Sequence, residues 1–299
     1  MRVRFSITHV IRIALILFSL SPRHSHAQNV FIIVIDGVRY SESLGGEGKY
    51  MPHLWNDLRP IGTIYTRFRN EGKTLTNPGH SAILTGKWQN IKNDGSEEFS
   101  DPTVFELFRK QTGLPEQSCF VIAGKEKLHI LTHGTDPSYG KKYAAMFKAN
   151  SSGKNIDTWN NLKSVMTEFH PRAVIVNFAE TDIIGHKGNW EGYLGAIREV
   201  DSLLSALWNA IQSDSVYKNT TTLFVTNDHG RHDDQHGGFK DHGDSCEGCR
   251  HIMLVALGPM FKEGAEVSGL ATQVDLAPTS AGILGIDFPK VLGKRLPGK

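Results

Sequence analysis

Cysteine is scarce in this chain: Cys119, Cys246 and Cys249 are the whole complement of 299 residues. That excludes a disulfide-built fold and leaves a four-cysteine zinc site without its second pair. Beyond residue 27 no apolar run reaches the roughly 20 residues that a membrane span needs. Internal repeats, low-complexity tracts and long linkers are also missing, which favours one domain over 28–299. Two catalytic signatures begin and fail. Gly79-His80-Ser81-Ala82 carries Ile83 where a nucleophile elbow needs glycine, and Gly86-Lys87 lacks the next hydroxyl residue and the earlier glycine of a phosphate-binding loop.

What is present starts with 39% hydrophobic and 21% charged residues, a composition suited to a substantial core. Residues 1–27 have a basic start, the short apolar run IALILFSL, and Ser25-His26-Ala27 before Gln28. This is the pattern of a secretory signal peptide cleaved after Ala27, so the mature chain is expected to be exported, periplasmic or secreted. Four arginines and no acid leave with it, and the formal charge of +2 becomes about −2. Such a balance gives no general attraction for nucleic acid. In an oxidising compartment Cys246 and Cys249 are expected to form a disulfide, with half a zinc site as the rival, and Cys119 to lie buried in CFVIAG.

Five short apolar runs read as strands buried on both faces: Val30 to Ile35, Cys119 to Ala123, Ala173 to Phe178, Thr222 to Thr226 and Ile252 to Leu257. Helical periodicity follows Trp190, Tyr193, Leu194, Ile197, Val200, Leu204, Leu207 and Ile211, and a shorter helix holds Val104, Leu107 and Phe108. Residues 274–285 read as a terminal helix closing on the sheet. Strands alternating with helices predict an α/β fold, a mostly parallel central sheet with helices on both faces.

Three of the strands share a kind of ending. VFIIVI runs into Asp36, LFVTN into Asp228 and His229, and AVIVNF is followed by Asp182 and His186. An Asp after one strand is commonly only a turn or cap residue. In a parallel sheet, however, all carboxyl ends share one edge, where open α/β folds place ligands. Carboxylate and imidazole together suit a zinc ion that keeps a position open for substrate. Residues 227–251 alone hold five histidines and five aspartates, more donors than one site uses. A further element, KTLTNPGHSAILTGK, predicts a helix capped by Asn77 with Pro78 as its first residue. Thr76 then sits at an anion-favouring helix start, with Thr74 its competitor as a nucleophile.

The ordered set IDGVR, TNPGHSAILTG, ETDIIGH, TNDHG and DHGD resembles the alkaline phosphatase superfamily. It is most similar to the nucleotide pyrophosphatase/phosphodiesterase and phosphonoacetate hydrolase branch, over nearly the whole mature chain. The resemblance implies two zinc ions, with manganese as the alternative, and a threonine nucleophile. One ion would be held by Asp36, Thr76, Asp228 and His229, the other by Asp182, His186 and His242. His242, standing just before the strand IMLVAL, is preferred to His236. His232 and His251 would lie behind the ligands or at the surface, and His80 would pack beneath Thr76. By the same resemblance Lys125 and Lys127 could hold extra substrate charge, and Asn93 or Asn90 a phosphoryl oxygen.

The implied activity is hydrolysis of a small-molecule phosphate ester through a phosphothreonine, with phosphonoacetate-type C–P cleavage as the alternative. No Cys-x-Pro-x-Arg exists to supply a sulfatase nucleophile, and the mutase branch uses serine where Thr76 stands. A non-enzymatic, secreted metal-binding protein would need only the histidine tract. Monoester or diester preference and oligomeric state leave no mark in the sequence.

Overall fold

The computed structural model describes residues 28–289 and 292–298; the expected signal peptide lies outside them. Strand β1 (Asn29–Ile35) is followed by β2 (Gly62–Tyr65), β3 (Phe68–Arg69), helix α1 (Thr76–Thr85) and α2 (Val104–Thr112). Then come β4 (Cys119–Ala123), β5 (Met146–Ala149), α3 (Asn155–Phe169), β6 (Ala173–Phe178), α4 (Glu180–His186), α5 (Trp190–Ser213) and β7 (Thr221–Thr226). The last third contains α6 (Glu247–Arg250), β8 (His251–Ile252), β9 (Leu254–Leu257), β10 (Ala265–Val267), β11 (Ala271–Thr272) and α7 (Leu276–Leu284).

Eight strands form one sheet in the order β10-β2-β9-β7-β1-β6-β4-β5, and β11-β3-β8 form a second, small one. Neighbours in the large sheet pair in parallel except where β9 meets β7 and β2. Alternation along VFIIVI explains the layering. Val30, Ile32 and Val34 face one core with side chains of α1, α2 and α7, whereas Phe31, Ile33 and Ile35 face another with those of α3 and α5. Burial on both faces is why these strands read as unbroken apolar runs.

The expected strand Ile252 to Leu257 is in fact two. At Met253 the backbone leaves the ladder: its N–H donates to Asn227 Oδ1 at 2.9 Å and its carbonyl accepts from Thr226 Oγ1 at 2.8 Å. Ile252 therefore pairs with Phe68 in the small sheet, and β9 starts beside Thr226, antiparallel to β7. A strand running backwards begins at the edge where its neighbours end. The loop before it is thereby delivered to the carboxyl edge of the parallel strands.

Candidate active site

Strands β6, β1 and β7 are adjacent at the centre of the sheet, with β4 next to β6. Their carboxyl ends release Asp36, Asp182, Asp228, His229 and Lys125 into one space. Gly37 permits the first turn: its φ is +65°, and a Cβ there would lie 2.8 Å from Arg231 Nη1 and 2.9 Å from Asp182 Oδ1. Its N–H and that of His229 donate to Asp228 Oδ1, at 3.1 and 2.9 Å. Asn177, the one polar residue in AVIVNF, donates from Nδ2 to Asp36 Oδ2 at 2.8 Å. His229 Nδ1 meets Gly230 O at 2.8 Å, which fixes the proton on Nδ1.

Each of these bonds consumes one end of a ligand and leaves the other end bare. Asp36 Oδ1, Asp228 Oδ2 and His229 Nε2 are buried and have no hydrogen-bond partner among the described residues. They converge, with His229 Nε2 3.7 Å from Asp36 Oδ1 and 3.4 Å from Asp228 Oδ2. Three orphaned acceptors facing one point are costly unless a cation satisfies them, so this donor set fits a divalent metal. Burial lowers the His229 pKa to about 3, opposed by Asp228, and keeps the imidazole neutral as a ligand must be.

The second set lies alongside. His186 Nε2 is 3.4 Å and His242 Nε2 3.5 Å from Asp182 Oδ1, and the two nitrogens are 3.2 Å apart. These are close to the edges, about 3.3 Å, of a tetrahedron with roughly 2.0 Å bonds to nitrogen and oxygen. His242 is oriented by Nδ1 against Thr74 O at 2.8 Å, and its ring stacks on His229 at 3.7 Å, joining the two sets. The His186 side chain is 44% exposed and marks the open side of the site. His236 instead pairs with Asp233 at the surface, and His251 stacks on Tyr40 with Nε2 at Thr66 O.

Thr76 is the first residue of α1, with Leu75 as N-cap. The expected cap, Asn77, lies inside the helix, its N–H donating to Asn93 Oδ1 at 2.9 Å and its Nδ2 to Lys127 O at 3.2 Å. Asn93, from a loop beyond the helix, thus does the capping expected of Asn77, one residue after Thr76; Asn90 is exposed. The Thr76 hydroxyl lies 3.5 Å from Lys125 Nζ. Thr74 is withdrawn from competition because its hydroxyl donates to Asp244 O. His80 packs below as expected: Nδ1 meets Thr76 O at 2.9 Å, and Nε2 accepts from Asn177 Nδ2 at 3.1 Å. A Cβ on Gly79 would meet Asp228 O at 2.6 Å, so glycine lets α1 press its first turn on the metal-site backbone.

The expected lysine pair separates. Lys125 Nζ sits between Asp36 Oδ2 at 2.8 Å and Asp182 Oδ2 at 2.7 Å, whereas Lys127 Nζ donates to Asn93 O. Burial alone would lower the Lys125 pKa, but Asp36 and Asp182 outweigh it and hold the ammonium charged. For Lys127 burial and the neighbouring Lys125 push the pKa down. Arg231 carries no sequence signal beyond its place after DHG. It is fully buried, pairs through Nη1 with Asp182 Oδ1, and donates to Phe239 O and Lys240 O. Burial would raise the Asp182 pKa; Lys125 and Arg231 overcome it and keep that carboxyl well below its ordinary range.

Cys246 and Cys249 are free thiols, not the expected disulfide. Both sulfurs face His232 Nδ1, at 3.6 and 3.4 Å, rather than each other in a bond. His232 accordingly belongs to a cluster of its own.

Residues 128–280, just over half of the chain, match the metalloenzyme superfamily. The chain belongs to that superfamily. Among curated relatives, 2,3-bisphosphoglycerate-independent phosphoglycerate mutase of Natronomonas pharaonis is 31% identical over 41% of this chain and 23% of its own length. Arylsulfatase K of Xenopus laevis is 32% identical over 33% of this chain and 18% of its own. The aligned stretches thus span a quarter or less of these relatives. In fold the superfamily member is similar to murine ectonucleotide pyrophosphatase/phosphodiesterase 5, with TM-score 0.67, 14% identity, and 89% and 98% of the two chains covered. The phosphonate monoester hydrolase of Agrobacterium radiobacter gives TM-score 0.65 at 14% identity, covering 90% and 76%. These likenesses agree with the alkaline phosphatase-like architecture that the motifs imply.

Proposed function

We propose that this protein is an exported, zinc-dependent hydrolase of small phosphoric esters that works through a phosphothreonine on Thr76. The observation that carries the reading is the place of the Thr76 hydroxyl. It stands at the start of α1, beside a buried carboxylate–imidazole set whose free donor atoms converge and within reach of the Lys125 ammonium. Asp36, Asp228, His229 and Thr76 would hold one divalent ion, and Asp182, His186 and His242 the other. Bound there, the pair would supply Lewis-acid stabilisation of a phosphoryl group and of the oxygens entering and leaving it.

The protein's own groups account for the remaining steps. The α1 start offers an anion-favouring helix end, and Asn93, bonded to the Asn77 N–H, is the side chain placed to meet a phosphoryl oxygen. Lys125 faces the nucleophile with a fixed positive charge, which assists loss of the Thr76 proton and attracts a dianion. In-line attack by Thr76 Oγ1 on phosphorus breaks the bond to the leaving oxygen; water entering from the vacated side then cleaves the phosphothreonine. The exposed His186 side chain marks the side from which those groups would enter and leave.

Lys125 also favours a second substrate class, phosphonoacetate-type phosphonates, whose carboxylate would suit the same ammonium. Rates on p-nitrophenyl phosphate, its bis ester, the p-nitrophenyl ester of thymidine monophosphate, and phosphonoacetate, all with added zinc, test the reading. A monoester excess is expected. Faster release of phosphate from phosphonoacetate would move the assignment to C–P cleavage, and no turnover of any of the four would overturn it. The mature unit is taken as a single domain over 28–299, released by cleavage after Ala27.

A further inference from the structure

A second group of metal-competent side chains lies outside the site just described. His232 Nδ1 is 3.2 Å from Asp244 Oδ1, 3.6 Å from Cys246 Sγ and 3.4 Å from Cys249 Sγ. All four donor atoms lie within 4.8 Å of one another. A tetrahedral zinc with bonds of roughly 2.0–2.1 Å to nitrogen or oxygen and 2.3 Å to sulfur has nitrogen–oxygen edges of about 3.3 Å and nitrogen–sulfur edges of about 3.5 Å. The three measured edges fall on those values.

The backbone holds the donors in register before any ion binds. Gly230 N–H donates to Cys249 O at 2.8 Å, and a Cβ on Gly230 would lie 1.9 Å from Gly248 O. A Cβ on Gly248 would in turn meet Arg231 O at 2.5 Å. Two glycines therefore allow the strand leaving His229 to lie directly against the turn that carries both cysteines. Asp244 is tied down as well, its carbonyl accepting from Thr74 Oγ1 and its Oδ1 from the Cys246 N–H.

We infer that His232, Asp244, Cys246 and Cys249 form a third, structural metal site for a thiophilic divalent cation of the zinc class. Four protein ligands close the coordination sphere, so the site takes no substrate. Binding releases the two thiol protons to solvent and joins both ends of the 232–249 segment. That segment carries His242, whose Nδ1 is anchored on the carbonyl of Thr74, the same threonine whose hydroxyl holds Asp244. The third ion thereby fixes the loop that brings the last catalytic ligand to the sheet edge. The carboxylate–imidazole sites of the catalytic centre contain no sulfur, and this gives the two kinds of site different spectra.

The full-length mature chain, reduced and then freed of reductant, is loaded with Co2+ and measured by metal analysis and absorption. A thiolate-to-cobalt charge-transfer band in the near ultraviolet is expected. The Cys246→Ser/Cys249→Ser double variant should lose that band and bind one equivalent fewer than the parent. His232→Gln keeps both thiols and should shift and weaken the band, which serves if the double variant fails to fold. Cobalt bound without any thiolate band in the parent, or a Cys246–Cys249 disulfide in the metal-loaded protein, would overturn the inference. A band in a protein that hydrolyses no phosphate ester would leave this site standing and reject only the proposed activity.

Discussion

At the residue scale, the donor sets depend on the side chains that hold them. Asn177 bonds both Asp36 and His80, so Asn177→Ala should free the proposed ligand Asp36 and the imidazole beneath Thr76 together. Zinc affinity, read by chelator competition, is expected to fall about 10- to 100-fold; an unchanged affinity would contradict this role. Arg231 is the buried counter-charge of Asp182. Arg231→Leu should cost about 1–3 kcal/mol in metal-free protein, because Asp182 Oδ1 loses its partner while Lys125 still holds Oδ2. Urea unfolding with zinc present should show a smaller loss, since a cation then pairs with the same oxygen. Lys125→Met should reduce monoester turnover on the order of 10²-fold and diester turnover by less, as a diester carries less charge to meet. Equal losses on both would remove Lys125 from substrate recognition.

At the element scale, α2 supplies a pH test away from the metals. Its capping box joins Thr103 to Glu106, whose Oε2 also accepts from Gly134 N–H while Oε1 is buried and unpaired. Burial raises the Glu106 pKa to about 7, against the bonds from Thr103 and Gly134 that lower it. The folded state therefore keeps a proton that the unfolded chain loses near pH 4.5. The stability from this group is full below that unfolded value and is lost as pH rises through about 7. Thermal midpoints of the parent should accordingly decline from pH 5 to 8 relative to Glu106→Gln, and parallel profiles would refute the assignment. The elements themselves were legible in the sequence where one signal dominated. The doubly buried strands announced themselves as apolar runs, and α5 as one continuous face from Trp190 onwards. Short strands such as β5, half-buried at the sheet edge, gave no such run. The start of α1 was misplaced because its cap comes from Asn93, 16 residues downstream of the N–H it accepts. The break at Met253 depends on side chains of Thr226 and Asn227, which no local pattern reveals.

At the scale of the whole molecule, adjacency turns scattered motifs into a site. Asp36, Asp182, Asp228 and His229 were identifiable as strand-end donors, because β6, β1 and β7 need only be neighbours for them to meet. Arg231 and the His232 cluster depend on loop packing after β7, and neither periodicity nor strand ends reports on that. None of the helices among the described residues is long and apolar enough to cross a membrane, and the chain isolated after export should begin at Gln28 by N-terminal mass analysis. Retention of Met1 would withdraw the export proposal. Because the ligands come from remote parts of the sequence, chelation should lower the thermal midpoint together with activity, and zinc should restore both. The central claim is that Thr76 becomes phosphorylated in a site assembled by those strand ends. It is tested most directly by acid-quenching the zinc-loaded protein during turnover of p-nitrophenyl phosphate and mapping phosphorylated peptides by mass spectrometry. The account predicts a phosphoryl group on Thr76 that is absent from Thr76→Ala, with turnover reduced on the order of 10³-fold or more in that variant. Full turnover by Thr76→Ala, or phosphate trapped on another residue, would contradict it.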